Sequence, residues 1–81
     1  MNQPKIEIVD AYIRLLNEGT DVVRPVQLID LQDGTFRILA TPDYDPKEEE
    51  WEFLPTSVVA IKDSIIGGEM VRLITDLPDQ N

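Results

Sequence analysis

The stretch Val22-Val-Arg-Pro-Val-Gln-Leu-Ile-Asp-Leu-Gln-Asp-Gly-Thr-Phe-Arg-Ile-Leu-Ala40 decides the fold of this chain. Two apolar runs flank Asp33-Gly34. Such a pair is a strong hairpin signal, because both central positions of a type I′ turn need positive φ. Val22 to Leu31 reads as the first arm and Thr35 to Ala40 as the returning one, with Phe36 and Ile38 on one side. Pro25 has no N–H to give a ladder, which restricts the first arm to an edge or a bulge. Val26 and Leu28 share one face while Ile29 and Leu31 fall on the other. That change of phase predicts a bulge near Leu28 to Asp30, in a strand bent to serve two sheets.

Outward from the hairpin, Lys5 to Leu16 fits two periods. Val9, Ala11, Ile13 and Leu15 alternate as a half-buried strand would, whereas Ile6, Val9, Ile13 and Leu16 trace a helical face. Four β-branched residues, Ile6, Ile8, Val9 and Ile13, favour the strand. Asn17 to Asp21 is a turn by composition. Further along, Trp51 to Leu54 and Thr56 to Ile66 read as strand regions separated by Pro55. Gly67-Gly68 closes a second tight hairpin, and Glu69 to Thr75 is the last strand, with Val71 and Leu73 on one face. Residues 1–75 then form one domain, and Asp76 to Asn81 a frayed tail. Five or six short strands joined by tight turns predict an all-β meander closed into a barrel, which protects edges that would otherwise seek partners.

The composition narrows the function. Sixteen acids against seven bases give a formal charge of −9 in 81 residues, with no His and no Cys. Such a balance speeds encounter with basic partners and opposes binding to nucleic acid, where Lys and Arg supply most of the affinity. The seven bases are scattered singly, so no basic stripe is visible. Met1 to Asp10 lacks the apolar run of a signal peptide, and no apolar run approaches the ~20 residues a membrane helix needs. A cytoplasmic protein without disulfides or thiolate metal sites is the expectation. Ser57 and Ser64 have no histidine to activate them, and no Gly-rich phosphate loop occurs, so neither catalysis nor a cofactor is expected.

The strongest local signal is Thr41-Pro-Asp-Tyr-Asp-Pro-Lys-Glu-Glu-Glu-Trp-Glu-Phe53, which holds six carboxylates and three aromatics. Asp43, Asp45, Glu48, Glu49, Glu50 and Glu52 supply oxygens of the kind Ca²⁺ takes. Asp43-x-Asp45 begins like an EF-hand loop, but Lys47 occupies the third ligand position, so a metal site is not expected. Tyr44, Trp51 and Phe53 admit two readings. Trp51 is an exposed anchor for a partner, or it caps the open end of the barrel, as the area an indole buries favours. Arg24 is expected to pair within the chain, with Glu18 or Asp21.

The blocks Tyr12-Ile-Arg-Leu-Leu16, Glu18-Gly-Thr20, Val22 and Arg24-Pro-Val26 resemble a pattern found in small bacterial proteins. It resumes with Asp43-Tyr-Asp-Pro46, Glu50-Trp-Glu-Phe53, Pro55 and Val58-Val59. The likeness implies an SH3-like barrel and a strand at Tyr12 to Leu16, and it brings no activity or functional residue with it. Those proteins carry Gly after the proline at position 55, where this chain has Thr56.

The reading reached from sequence is a single small SH3-like barrel of five to six mostly antiparallel strands. Its expected role is as an acidic protein-interaction module that binds a basic protein surface through Asp43, Tyr44, Asp45, Glu48, Glu49, Glu50, Trp51 and Glu52, with Glu18 to Arg24 as a neighbouring contributor. One alternative is an immunity or antitoxin-type inhibitor whose acidic loop blocks a basic enzyme. Another is a homo-oligomeric subunit without a separate ligand.

Overall fold

The alternating runs become strands in the computed structural model, which describes residues 5–19 and 22–78. They are β1 Glu7–Leu16, β2 Val23–Asp30, β3 Phe36–Ile38, β4 Glu50–Trp51, β5 Val58–Ile66 and β6 Glu69–Thr75, with no helix among the described residues. The two-way reading of Lys5 to Leu16 therefore resolves to strand. No helix of the described residues is long and apolar enough to cross a membrane. Met1 to Pro4, Thr20, Asp21 and Asp79 to Asn81 lie outside the described residues. The parts of the first turn and of the tail that fall there are not described. Asp76 to Pro78 follow β6 as exposed coil.

Antiparallel pairing runs β1–β2–β3–β5–β6, and a parallel bridge between Tyr12 and Leu73 returns β6 to β1. The result is an all-β, SH3-like barrel of five strands, with β4 added beside the end of β1. Alternate residues fill its interior. Val9, Ala11, Ile13 and Leu15 come from β1, Val26 and Leu28 from β2, Phe36 and Ile38 from β3, Val59 and Ile61 from β5, and Ile74 from β6. Ile13, Leu28 and Ile38 are fully enclosed. Leu73 is also buried, but on the opposite face of β6 from Ile74.

Pro25 sits at a local edge of β2 and not at a bulge, although β2 itself pairs with both β1 and β3. By antiparallel alternation the Pro25 nitrogen faces away from β1, and it lies beyond the end of β3, so its missing N–H interrupts no ladder. The bulge expected near Leu28 to Asp30 is absent. The β1 and β3 registers run through those residues without a break, and Ile29 turns outward, half-buried. The first hairpin is also wider than a two-residue I′ turn. Leu31 N–H donates to the Thr35 carbonyl at 3.0 Å, and positive φ falls on Gln32 and Gly34, not on Asp33. Asp33 instead accepts the Thr35 N–H at 3.0 Å, the bond an Asx turn makes. At Gly67-Gly68 both φ values are positive, 58° and 83°, as a tight I′ connection requires.

Between β4 and β5 the chain turns through Leu54-Pro-Thr-Ser57, closed by a Ser57 N–H to Leu54 carbonyl bond of 3.1 Å. Proline second and a left-handed third residue make this a type II turn, whose third position favours Gly. Thr56 occupies it at φ 74°. A β-branched residue there is strained, and it is held because its N–H donates to Ile38 while its carbonyl accepts from Arg37. Thr56→Gly relieves that strain and keeps both backbone bonds. The expected gain is about 1 kcal/mol after the entropic penalty of glycine, read as a higher urea midpoint with an unchanged slope. A lower midpoint would show that Thr56 is not strained.

Candidate functional site

The acidic tract folds into a compact loop against one end of the barrel. Asp45-Pro46 starts a turn, because proline is preset for the second position and an aspartate at the first can cap it. Asp45 Oδ1 accepts the Lys47 N–H at 2.9 Å, and its carbonyl accepts those of Glu48 at 2.9 Å and Glu49 at 3.0 Å. The turn swings Glu49 back over the barrel. Trp51 then pairs with Leu15, and Glu52 N–H donates to the Arg14 carbonyl at 3.0 Å, fastening the loop to the end of β1.

Glu49 reaches Arg24. In β2 the side chain of Arg24 lies on the same face as Val26 and Leu28, so it points over the mouth of the barrel. Its Nε donates to Glu49 Oε2 at 2.9 Å, and Nη2 donates to the same oxygen. The other oxygen, Oε1, accepts the Trp51 indole N–H at 3.1 Å. One carboxylate thus ties the barrel wall to its lid. Arg24 Nη1 also stands 3.9 Å from Asp43 Oδ2. The Tyr44 ring meets Trp51 edge to face, with centroids 4.6 Å apart. The side chains of Arg24 and Glu49 are 29% and 19% exposed, so their pair is less screened than an ordinary surface pair. The Arg24 guanidinium, and next the Trp51 indole, hold the Glu49 carboxyl below its ordinary pKa. The bond to Glu49 raises that of Arg24.

The structure decides between the two readings of Trp51 in favour of the cap, and it changes the expected partner of Arg24. Trp51 is 3% exposed and belongs to the core, so it caps the barrel and is not an exposed anchor. Arg24 pairs within the chain, but with Glu49 and Asp43 of the acidic loop instead of Glu18. Asp21 is not described. Glu49 is spent on this internal link, and Tyr44 and Phe53 are half-buried against the core.

What remains on the surface is Asp43, Asp45, Glu48, Glu50 and Glu52. The turn after β1 joins them, through an Asn17 Nδ2 to Glu50 Oε1 bond of 2.6 Å. Leu16, Asn17 and Glu18 on one side and the run from Pro46 to Glu50 on the other, Lys47 included, line a shallow cleft of about 210 Å³ in which four carboxylates face one cation. Glu48 and Glu52 make no side-chain hydrogen bond or ion pair among the described residues. Among those residues, no group of three or more carboxylates is placed to hold a metal ion. The cleft offers closely spaced acceptors with an apolar floor at Leu16, which suits the stem and head of a Lys or Arg side chain.

Comparison with family models, curated proteins and solved structures finds no match to this chain. Any functional reading therefore rests on the chemistry of the loop itself.

The Glu49 link makes stability depend on pH in a defined direction. Its folded pKa lies below its ordinary value of 4.5, so the link stabilises fully above that value and is lost as pH falls through the folded value. Urea denaturation of the wild type and Glu49→Gln from pH 7 to pH 3 should show a gap of about 1–2 kcal/mol at neutral pH that closes below pH 4.5. A gap that persists unchanged at pH 3 would mean that the charge of Glu49 is not what matters.

Proposed function

We propose that this protein is an acidic protein-interaction module that receives basic side chains of a partner protein in the cleft between Glu18 and Glu48 to Glu50. The observation that carries the reading is the division of labour within the loop. Glu49 and Trp51 are turned inward to hold it, and this leaves Glu48, Glu50 and Glu52 outward on a fixed backbone. A preorganised acidic surface loses less conformational entropy on binding than a mobile tail of the same charge. The net charge of −9 adds long-range steering, which acts on association rates. An enzyme inhibitor with a basic target would use the same surface in the same way.

A hexa-arginine peptide tests this by heteronuclear NMR titration at low salt. It should perturb the amides of Asn17, Glu18 and Glu48 to Glu50. The triple variant Glu18→Gln, Glu48→Gln, Glu52→Gln should weaken binding at least fivefold. A control that removes the same charge elsewhere, Glu7→Gln, Asp63→Asn, Asp76→Asn, should weaken it about twofold or less. Equal losses in the two triples would reduce the loop to its share of the net charge and overturn the reading.

A further inference from the structure

The barrel closes through a single bridge, Tyr12 to Leu73, and this leaves an opening of another kind at the far end of β1. From that bridge toward their N-termini, β1 and β6 diverge. β1 stays with β2 as far as Glu7, while β6 stays with β5 as far as the Gly67-Gly68 turn. The β5–β6 ribbon runs on past the barrel, since β5 meets β3 only at Val58 and Val59. Between the two diverging strands lies a cleft with about 510 Å³ of open space, lined in part by Asp10, Tyr12, Glu69, Met70, Val71 and Arg72.

Both walls of this cleft are strand edges. Leu15 N–H donates to the Val22 carbonyl at 2.9 Å, so by antiparallel alternation the odd-numbered residues of β1 bond to β2. The N–H and C=O of Ile8 and Asp10 then face the cleft. In β6 the two-residue turn closes on the hydrogen-bonded pair Ile66 and Glu69. Glu69 and Val71 therefore bond to β5, and the backbone groups of Met70 and the N–H of Arg72 face the cleft from the other side, while the Arg72 carbonyl is taken up in the bridge to Tyr12. No other described strand pairs with either edge there.

We propose that this cleft takes up an extended segment of a partner protein as an added strand, and that the segment alternates basic and aliphatic residues. The alternation follows from the two faces. Asp10 and Glu69 stand on the outer face with Tyr12 and Val71, so an inserted strand places its outer side chains between two carboxylates, with an aromatic ring for their stems. On the inner face it meets Met70, which is 66% exposed, beside the inward row of Val9 and Ala11, with Arg72 at the bridge end of the same face, where an aliphatic side chain and not a basic one is accepted. The main-chain bonds supply affinity and the alternate side chains supply selectivity, as in other strand additions. A second copy of this chain is a poor occupant. A two-fold contact through this cleft sets Asp10 and Glu69 against their own counterparts, like charge on like. The cleft lies away from the acidic loop, which occupies the opposite end of β1, and it does not depend on the function proposed for that loop.

The test uses an acetylated, amidated Lys-Val-Lys-Val-Lys-Val peptide and a Lys-Lys-Lys-Val-Val-Val control of the same composition, with amide exchange and NMR shifts as the readouts. The alternating peptide at saturation should slow exchange of the Ile8, Asp10, Met70 and Arg72 amides at least tenfold. The control should bind at least tenfold more weakly at those amides. Asp10→Lys with Glu69→Lys should lower affinity for the alternating peptide at least tenfold, and Glu18→Gln with Glu48→Gln should leave it within twofold. Equal binding of the two peptides would overturn the proposal, as would self-association that protects the same amides without peptide. Shifts confined to Asn17, Glu18 and Glu48 to Glu50 would overturn it too, while leaving the acidic-loop reading in place.

Discussion

The carboxylate of Glu49, shared between the Arg24 guanidinium and the Trp51 indole, is the contact on which the rest of this small domain depends. A barrel of five short strands leaves its mouth open, and one indole closes it here. That solution creates two polar problems at once. An Arg points over the mouth from the inward face of β2, and an indole N–H is carried into the core with Trp51. Each would be costly to leave unpaired. One carboxylate satisfies both, and a loop rich in carboxylates is the means of bringing one there. The acidity of Thr41 to Phe53 is therefore partly structural, and only the acids left outside this link are available to a partner.

The same economy shapes β1, whose outer edge is shared among three uses. Leu15 and Leu16 pair with β4, Tyr12 meets β6, and the stretch before Tyr12 borders the cleft. Because the parallel closure is one bridge long, the barrel has a tight end and a divergent end. The tight end presents a rigid acidic surface. At the divergent end, main-chain donors and acceptors face open space, flanked by Asp10 and Glu69. Charges at exposed edges commonly discourage indiscriminate strand pairing, and Asp10 and Glu69 are placed to do so here.

Much of the fold was legible because its signals are local. The alternation in Val22 to Ala40, the β-branched run in β1 and Gly67-Gly68 each fix a strand or a turn without reference to the rest of the chain. The misreadings arose where long-range contacts decide. Ile29 looked like a change of face because it is apolar, yet it turns outward in an unbroken register. Asp33-Gly34 marked the hairpin but not its width, which Gln32 sets by taking up positive φ. At the candidate site, the tract and its aromatics could be found by composition, but which acid faces inward could not. A signal for the Arg24 link was present: Arg24 shares its phase with Val26 and Leu28, and an inward-phase arginine needs a carboxylate nearby. Its partner lies 25 residues away, and sequence proximity pointed wrongly to Glu18.

A double-mutant cycle of Arg24→Met and Glu49→Gln, followed by urea denaturation at pH 7, tests most directly whether Glu49 holds the loop through Arg24. A bridging Glu49 predicts that each single variant is destabilised and that the pair is coupled by about 1–2 kcal/mol, with the double variant losing less than the sum of the singles. Additive losses, with a coupling below about 0.3 kcal/mol, would contradict it and leave the acidic loop held by Trp51 packing alone.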